Sequence, residues 1–161
     1  MWEYSIGEYS THSNHKQIAL KNMEEEIIIP RGNTPEDNKA RRRIIKEYYS
    51  KWIMENPDKK VWNGSLEAYI HIKGISINEI LGHAPRSVES TVAQFYLTEI
   101  LSEAVLVNHW PPKYGDKNQK PFSRMLLLKW RQCRLLIGLQ KSTSEYVLYY
   151  ISGGQKIKAA R

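Results

Sequence analysis

The spacing of apolar residues changes period along this chain, and that change most limits what it can fold into. Between residues 35 and 55, Ile44, Ile45, Tyr48, Tyr49, Trp52 and Ile53 recur at intervals of three and four, the period of an amphipathic helix. Thr34 precedes Pro35, Glu36 and Asp37, which supplies an N-cap, a first-position proline and first-turn acids. That helix should run to about Glu55, ahead of Asn56-Pro57. Residues 66 to 72 instead alternate, with Leu66, Ala68, Ile70 and Ile72 on one face, as a strand does.

Ser76-Ile77-Asn78-Glu79 fits a capping box, so a short helix should follow and end near His83, before Ala84-Pro85. A longer helix from about Ser87 would bury Ala93, Leu97, Ile100, Leu101 and Ala104, with Ala104 to Val107 leaving it as a strand. His109-Trp110-Pro111-Pro112 and the polar residues up to Pro121 read as a long loop. Strands are expected over Phe122 to Trp130, Arg134 to Gln140 and Tyr146 to Ser152, with a turn at Lys141-Ser142-Thr143-Ser144. Helices come first, strands later, and nothing repeats. The order predicts an α+β fold with N-terminal helices packed on a mostly antiparallel sheet.

A chain of 161 residues fits one domain, or one domain with an extension. Residues 1 to 36 lack steady periodicity, although Ile27-Ile28-Ile29-Pro30 could be an edge strand stopped by its proline. The expected organisation is an extended arm over residues 1–33, a single domain over 34–152 and a basic tail over 153–161. Cys133 is the one cysteine, which excludes an intrachain disulfide and a thiolate zinc site. No apolar h-region follows Met1, and no apolar run approaches the roughly 20 residues of a membrane span. The expectation is a soluble, cytoplasmic protein without a membrane partner, with a secreted effector left open.

The formal charge is +7, and its placement says more than its sum. Lys113, Lys117, Lys120, Arg124, Lys129, Arg131 and Arg134 stand against the single acid Asp116 between residues 113 and 134. Lys39, Arg41, Arg42, Arg43 and Lys46 open the first long helix. Clustered cations are the footprint of a polyanionic partner, and equally of a solvated face. Charge alone decides nothing.

RNA cleavage through the 2′-hydroxyl needs a base, an acid and a cation for the phosphorane. Glu79 and His83, at i and i+4, share one helix face. An imidazole titrates near pH ~6.5 and suits either proton-transfer role. Lys129, Arg131 and Arg134 lie on the expected sheet, and Ser76, Ser90, Tyr149, Tyr150 and Ser152 bring hydroxyls. Each residue also has a plain structural reading. Glu79 and Ser76 could be no more than a capping box, His83 a cation at a helix C-terminus, and the tyrosines strand formers. His71 fits the outer face of a strand, and His109-Trp110 fits either a base platform or a loop anchor. No metal or cofactor is expected, because Glu79, His83 and His71 lack a zinc-binding spacing such as H-E-x-x-H.

Residues 66 to 104, LEAYIHIKGISINEILGHAPRSVESTVAQFYLTEILSEA, resemble the phage- and mobile-element-associated nuclease-like domains of the barnase/EndoU/colicin/RelE-like superfamily. The likeness is carried by Ser76, Ile77, Glu79, His83 and Ala84, then Ser90 and Thr91, then Ile100, Leu101 and Ala104. It extends over residues about 61 to 152, with CRLLIGLQKSTSEYVLYYIS in the place of the family's final hairpin. Where related domains often end the last strand in a Tyr-Asp-His type sequence, Tyr150-Ile151-Ser152 stands here.

The resemblance implies a barnase/RelE-like fold and a metal-independent, ribonuclease-like or toxin domain. Glu79, His83 and Arg134 would be catalytic, with Lys129, Arg131, Ser76, Ser90, Thr91, Tyr150 and Ser152 contacting nucleic acid. The implied partner is RNA or another nucleic acid, together with an immunity or antitoxin protein. The competing expectations are a non-catalytic nucleic-acid-binding module and a protein-binding accessory factor of a mobile element.

Overall fold

The computed structural model describes residues 3–6, 17–22 and 25–154. Residues 155–161 of the expected basic tail, and the remainder of the expected arm, lie outside them. The fold is α+β. Three strands, β1 (Glu3–Ile6), β2 (Gln17–Lys21) and β3 (Glu26–Pro30), form an antiparallel sheet in that order. Four helices follow: α1 (Pro35–Glu55), α2 (Gly74–His83), α3 (Val88–Gln94) and α4 (Leu97–Glu103), with a 3₁₀ turn at Ala84–Arg86. The other strands are β4 (Lys60–Asn63), β5 (Ala68–His71), β6 (Val105–Trp110), β7 (Phe122–Trp130), β8 (Cys133–Gln140) and β9 (Tyr146–Gly153). They build one sheet ordered β4-β5-β9-β8-β7-β6, antiparallel except where β5 meets β9.

α1 forms for the reasons its sequence states. The Thr34 hydroxyl accepts from the Asp37 amide at 3.1 Å, the Thr34 amide donates to Asp37 at 3.4 Å, and Pro35 needs no partner at the first position. Its buried stripe is Arg41, Ile45, Tyr49 and Trp52. Arg41 is the unexpected member. Its Nε donates to the Pro85 carbonyl at 2.6 Å, and its Nη1 to the Pro30 and Gly32 carbonyls at 2.8 Å each. One guanidinium thus ties α1 to the end of β3 and to the 3₁₀ turn. Arg42 reaches the Leu81 carbonyl at 2.7 Å. Two members of the first basic group therefore serve the fold.

One face of the large sheet packs under the helices. Leu128, Leu135, Ile137, Leu148 and Ile151 meet Val92, Leu97, Ile100 and Leu101 there, and Ile18, Leu20 and Ile29 of the small sheet join the same core. That overturns the expectation of an arm over the residues of β2 and β3. The edge strand at Ile27-Ile28-Ile29-Pro30 is present as β3, whereas β2 was missed because a five-residue strand carries only two or three inward positions, too few to show a period. Polar groups tie the same layers. The Tyr49 hydroxyl donates to Gln94 Oε1 at 2.7 Å, and Gln94 Nε2 donates to the Ile151 carbonyl at 2.9 Å.

Three element boundaries differ from expectation. α2 begins at Gly74, with Ser76 at its third position, and the Ser76 hydroxyl accepts from the Lys73 amide at 3.0 Å. Glu79 is therefore not part of a capping box. The helix expected from Ser87 to Ala104 breaks at Phe95-Tyr96, where amides turn back to carbonyls three residues earlier and both rings are buried. Packing of two aromatic rings ends α3, with no glycine or proline to announce it. β6 runs on to Trp110, so His109 and Trp110 are strand residues rather than loop.

Candidate active site

β5 pairs with β9 only through Ile70↔Tyr146 and His71↔Val147. Beyond that point the edge of β9 needs other partners, since buried backbone groups must be satisfied. Side chains supply them. The Ser76 hydroxyl donates to the Leu148 carbonyl, Gln94 Nε2 to the Ile151 carbonyl, and the Gly153 amide donates to Ser90 Oγ at 3.1 Å. α2 thereby lies along β9 where a strand would otherwise continue. Its buried residues Ile80 and Leu81 join the main core, while Glu79 and His83 meet tyrosines of β9.

A register shift against Leu136 and Ile137 leaves Tyr149 as an extra residue of β9. Such a bulge re-aims side chains, and here consecutive tyrosines contribute to one cluster. The rings of Tyr149 and Tyr150 lie 6.1 Å apart between centroids, and His83 lies 5.7 Å from Tyr150. Tyr149 also packs edge-on against Phe122 at 5.9 Å. Phe122, Met125, Val147 and Tyr149 form a second small core on the sheet face opposite the main core, with Ile75 of α2 packed against it. Gly138 belongs there for want of space, because a Cβ would sit 2.5 Å from the Phe122 ring.

Within this cluster the His83 Nε2 is 3.6 Å from a Glu79 oxygen, and the Glu79 side chain is 12% exposed against 53% for His83. The Glu79 carboxylate and the Gln119 side chain lie close enough to the Tyr149 hydroxyl to bear on its titration. Burial first, then that carboxylate, push the Tyr149 phenol above its ordinary 10.0, so it stays protonated as a donor. Gln119 belongs to the loop between β6 and β7, and its Oε1 accepts from the Lys113 amide at 2.6 Å. A carboxylate, an exposed imidazole and a phenol therefore meet between α2 and that loop.

The cations stand on the same sheet face. Leu136 and Tyr150 are partners across the ladder, as are Lys129 with Arg134 and Arg134 with Ser152. Partners share a face, and the two rows are one step of alternation apart, about 7 Å. Lys129, Arg134 and Ser152 line an open depression of about 320 Å³ together with Arg131 and Gln132. Alternation along one strand would pair Lys129 with Arg131; the hairpin pairs Lys129 with Arg134 instead. Arg131 sits in the turn with φ +53° and stacks its guanidinium 4.4 Å from the Trp130 ring centroid.

The remaining expected site residues divide clearly. Ser76 and Thr91 are fully buried, and Thr91 spends its hydroxyl on the Ala84 and Ser87 carbonyls, at 3.2 and 2.8 Å. Ser90 is buried on the Gly153 amide. These three hold the site's walls and cannot touch a ligand. His109 is an exposed strand residue whose Nδ1 accepts from Arg124 Nε at 2.9 Å. His71 faces Glu145 at 3.3 Å, and Glu145 also meets Lys73 at 2.6 Å, which pins the start of α2 to the β8–β9 turn.

Among the described residues no group of three or more His, Cys, Asp or Glu side chains is arranged to hold a metal ion. Among them, too, no helix is long and apolar enough to cross a membrane. Comparisons with protein-family models, curated proteins and solved structures return no match. Tyr149 was named from the sequence only as one of several hydroxyls, and Gln119 was not named at all. A strand bulge and a loop folding back leave no mark in residue spacing.

Proposed function

We propose that this chain is a metal-independent RNA-cleaving domain of barnase/RelE-like type. One observation carries the reading: the Glu79–His83 pair lies 3.6 Å apart against two β9 tyrosines, one row from the Lys129–Arg134 pair on a single sheet face. Glu79 takes the proton of the 2′-hydroxyl as its oxygen attacks phosphorus. His83 gives a proton to the departing 5′-oxygen as the P–O5′ bond breaks. Arg134, with Lys129, neutralises the charge that builds on the phosphorane oxygens. The products are a 2′,3′-cyclic phosphate and a 5′-hydroxyl. The resemblance of residues 66 to 104 to nuclease-like domains supports the same assignment, by analogy of pattern.

A second reading is favoured by Glu79 itself. A carboxylate only 12% exposed offers a substrate hydroxyl little access, which suits a binding module without chemistry. Incubation of an unstructured RNA with the protein in EDTA separates the two. The proposal expects cyclic-phosphate ends, blocked by a 2′-deoxy sugar at the scissile position. Intact RNA that is nevertheless bound, with binding weakened by salt, would leave only the binding module.

A further inference from the structure

The β6–β7 loop and the neighbouring β8–β9 turn carry a feature that the candidate active site does not use. Lys113, Lys117, Lys120 and Lys141 line an open depression of about 510 Å³ along with Tyr114 and Asp116. Among the described residues, no ion pair engages any of the four ammonium groups. Asp116, the one acid in that lining, accepts from the Asn118 amide at 2.9 Å. Tyr114 is fully exposed, at 103%. An aromatic ring left wholly in water forgoes the burial that would favour it. Ringed by unpaired cations, it has the composition of a site that stacks a base and holds the flanking phosphates.

The loop is anchored rather than loose. Gln119 accepts from the Lys113 amide, the Phe122 amide donates to the Gln119 carbonyl at 3.0 Å, and the Lys141 amide donates to the Pro121 carbonyl at 2.9 Å. These bonds join the loop to the start of β7 and the end of β8, so the lysine cluster is fixed relative to the sheet that carries the β9 tyrosines. It lies toward the Phe122 end of β7, while Lys129 and Arg134 lie at the other.

We infer that this loop is a second nucleic-acid subsite, which binds single-stranded RNA flanking the cleaved bond with one base stacked on Tyr114. The inference rests on the RNA-cleaving reading for its occupant. Two cationic patches on either side of the acid–base pair suit a strand several nucleotides long. A duplex offers no free base face to the tyrosine.

The test uses the full chain and a short 2′-O-methyl oligonucleotide, which cannot be cleaved, with affinity read by fluorescence anisotropy over a range of salt. Lys113→Ala/Lys117→Ala/Lys120→Ala should weaken binding by about tenfold or more and flatten the salt slope by about 2, since each phosphate contact on a single strand contributes about 0.7. Tyr114→Ala should weaken the single strand by about tenfold, leave the salt slope unchanged, and leave duplex and heparin binding unaltered. Thermal midpoints should stay at the wild-type value, because these side chains are in solvent. An unchanged affinity and slope for the triple variant overturns the subsite, as does equal weakening of heparin or duplex by Tyr114→Ala. Cleavage of a dinucleotide at wild-type rate by variants that have not lost oligonucleotide affinity would remove the subsite and keep the enzyme. Binding as predicted without any cleavage would do the reverse.

Discussion

Single residues decide whether this site does chemistry. Because α2 starts at Gly74, Glu79 has no duty in capping, and His83 lies 3.6 Å from it. Glu79→Gln should therefore keep the wild-type thermal midpoint while lowering RNA cleavage by about 10²–10⁴-fold. Full activity in that variant would remove Glu79 as the general base. Tyr149→Phe removes only the donor beside the carboxylate. As a positioning change it should lower kcat by up to about 10²-fold with KM held, and a rise in KM alone would contradict it. Arg41 marks the opposite case, a cation spent wholly on structure. Arg41→Met removes the donor from one buried and two partly buried carbonyls, at about 1–3 kcal/mol for an unsatisfied group, so a loss of about 1–3 kcal/mol is expected in denaturant melts. A loss under about 1 kcal/mol would show that other groups satisfy them.

At the scale of elements, the small sheet and the start of α2 behave differently from what spacing suggests. Ile18, Leu20 and Ile29 are each at most 4% exposed, and burying one such side chain contributes about 1.5–3 kcal/mol. Their sum approaches the entire stability of a typical domain, about 5–15 kcal/mol. A fragment of residues 34–154 should accordingly lose its cooperative melt; one that melts like the full chain would make β2 and β3 dispensable. The start of α2 should respond to acid. Burial chiefly lowers the His71 pKa below its ordinary 6.5, against the pull of Glu145, and the hydrogen bond from Lys73 chiefly lowers the Glu145 pKa below its ordinary 4.5. For both groups the unfolded chain takes up its proton at higher pH than the folded one. Their stabilisation is complete above the ordinary values and is lost as pH falls through them. The thermal midpoint should drop below pH 6.5 and again below 4.5, and His71→Gln should erase the first drop alone. A first drop that survives in His71→Gln belongs to another group.

Across the whole molecule, the fold sorts cations by face. Arg41 goes inward, exposed Arg42 reaches the Leu81 carbonyl, Arg131 stacks on Trp130, and Lys129 and Arg134 are left side by side in solvent. Lys129→Ala and Arg134→Ala should each weaken RNA binding and reduce its salt slope while the thermal midpoint stays put. Unchanged affinity in both would remove that face as a binding surface. Arg131→Ala should differ, since it uncovers the Trp130 ring as well as removing a charge.

The residues alone were enough for α1 and its cap, for the limits of β7, β8 and β9, and for the α+β order. Each of those rests on local periodicity and turn chemistry, which act over a few neighbours. The pairing of Glu79 with His83 was also legible, because four residues is one helical turn. What surrounds the pair was not. Tyr149 enters through a bulge set by the register of β9 on β8, Gln119 through a loop that folds back, and Arg134 through a hairpin that places it beside Lys129. Ser76 and Ser90 became walls of the site because β9 outruns β5 and its bare edge needed hydrogen-bond partners. Those are contacts between residues dozens of positions apart. Long-range packing chooses them, and no local pattern in the chain encodes the choice.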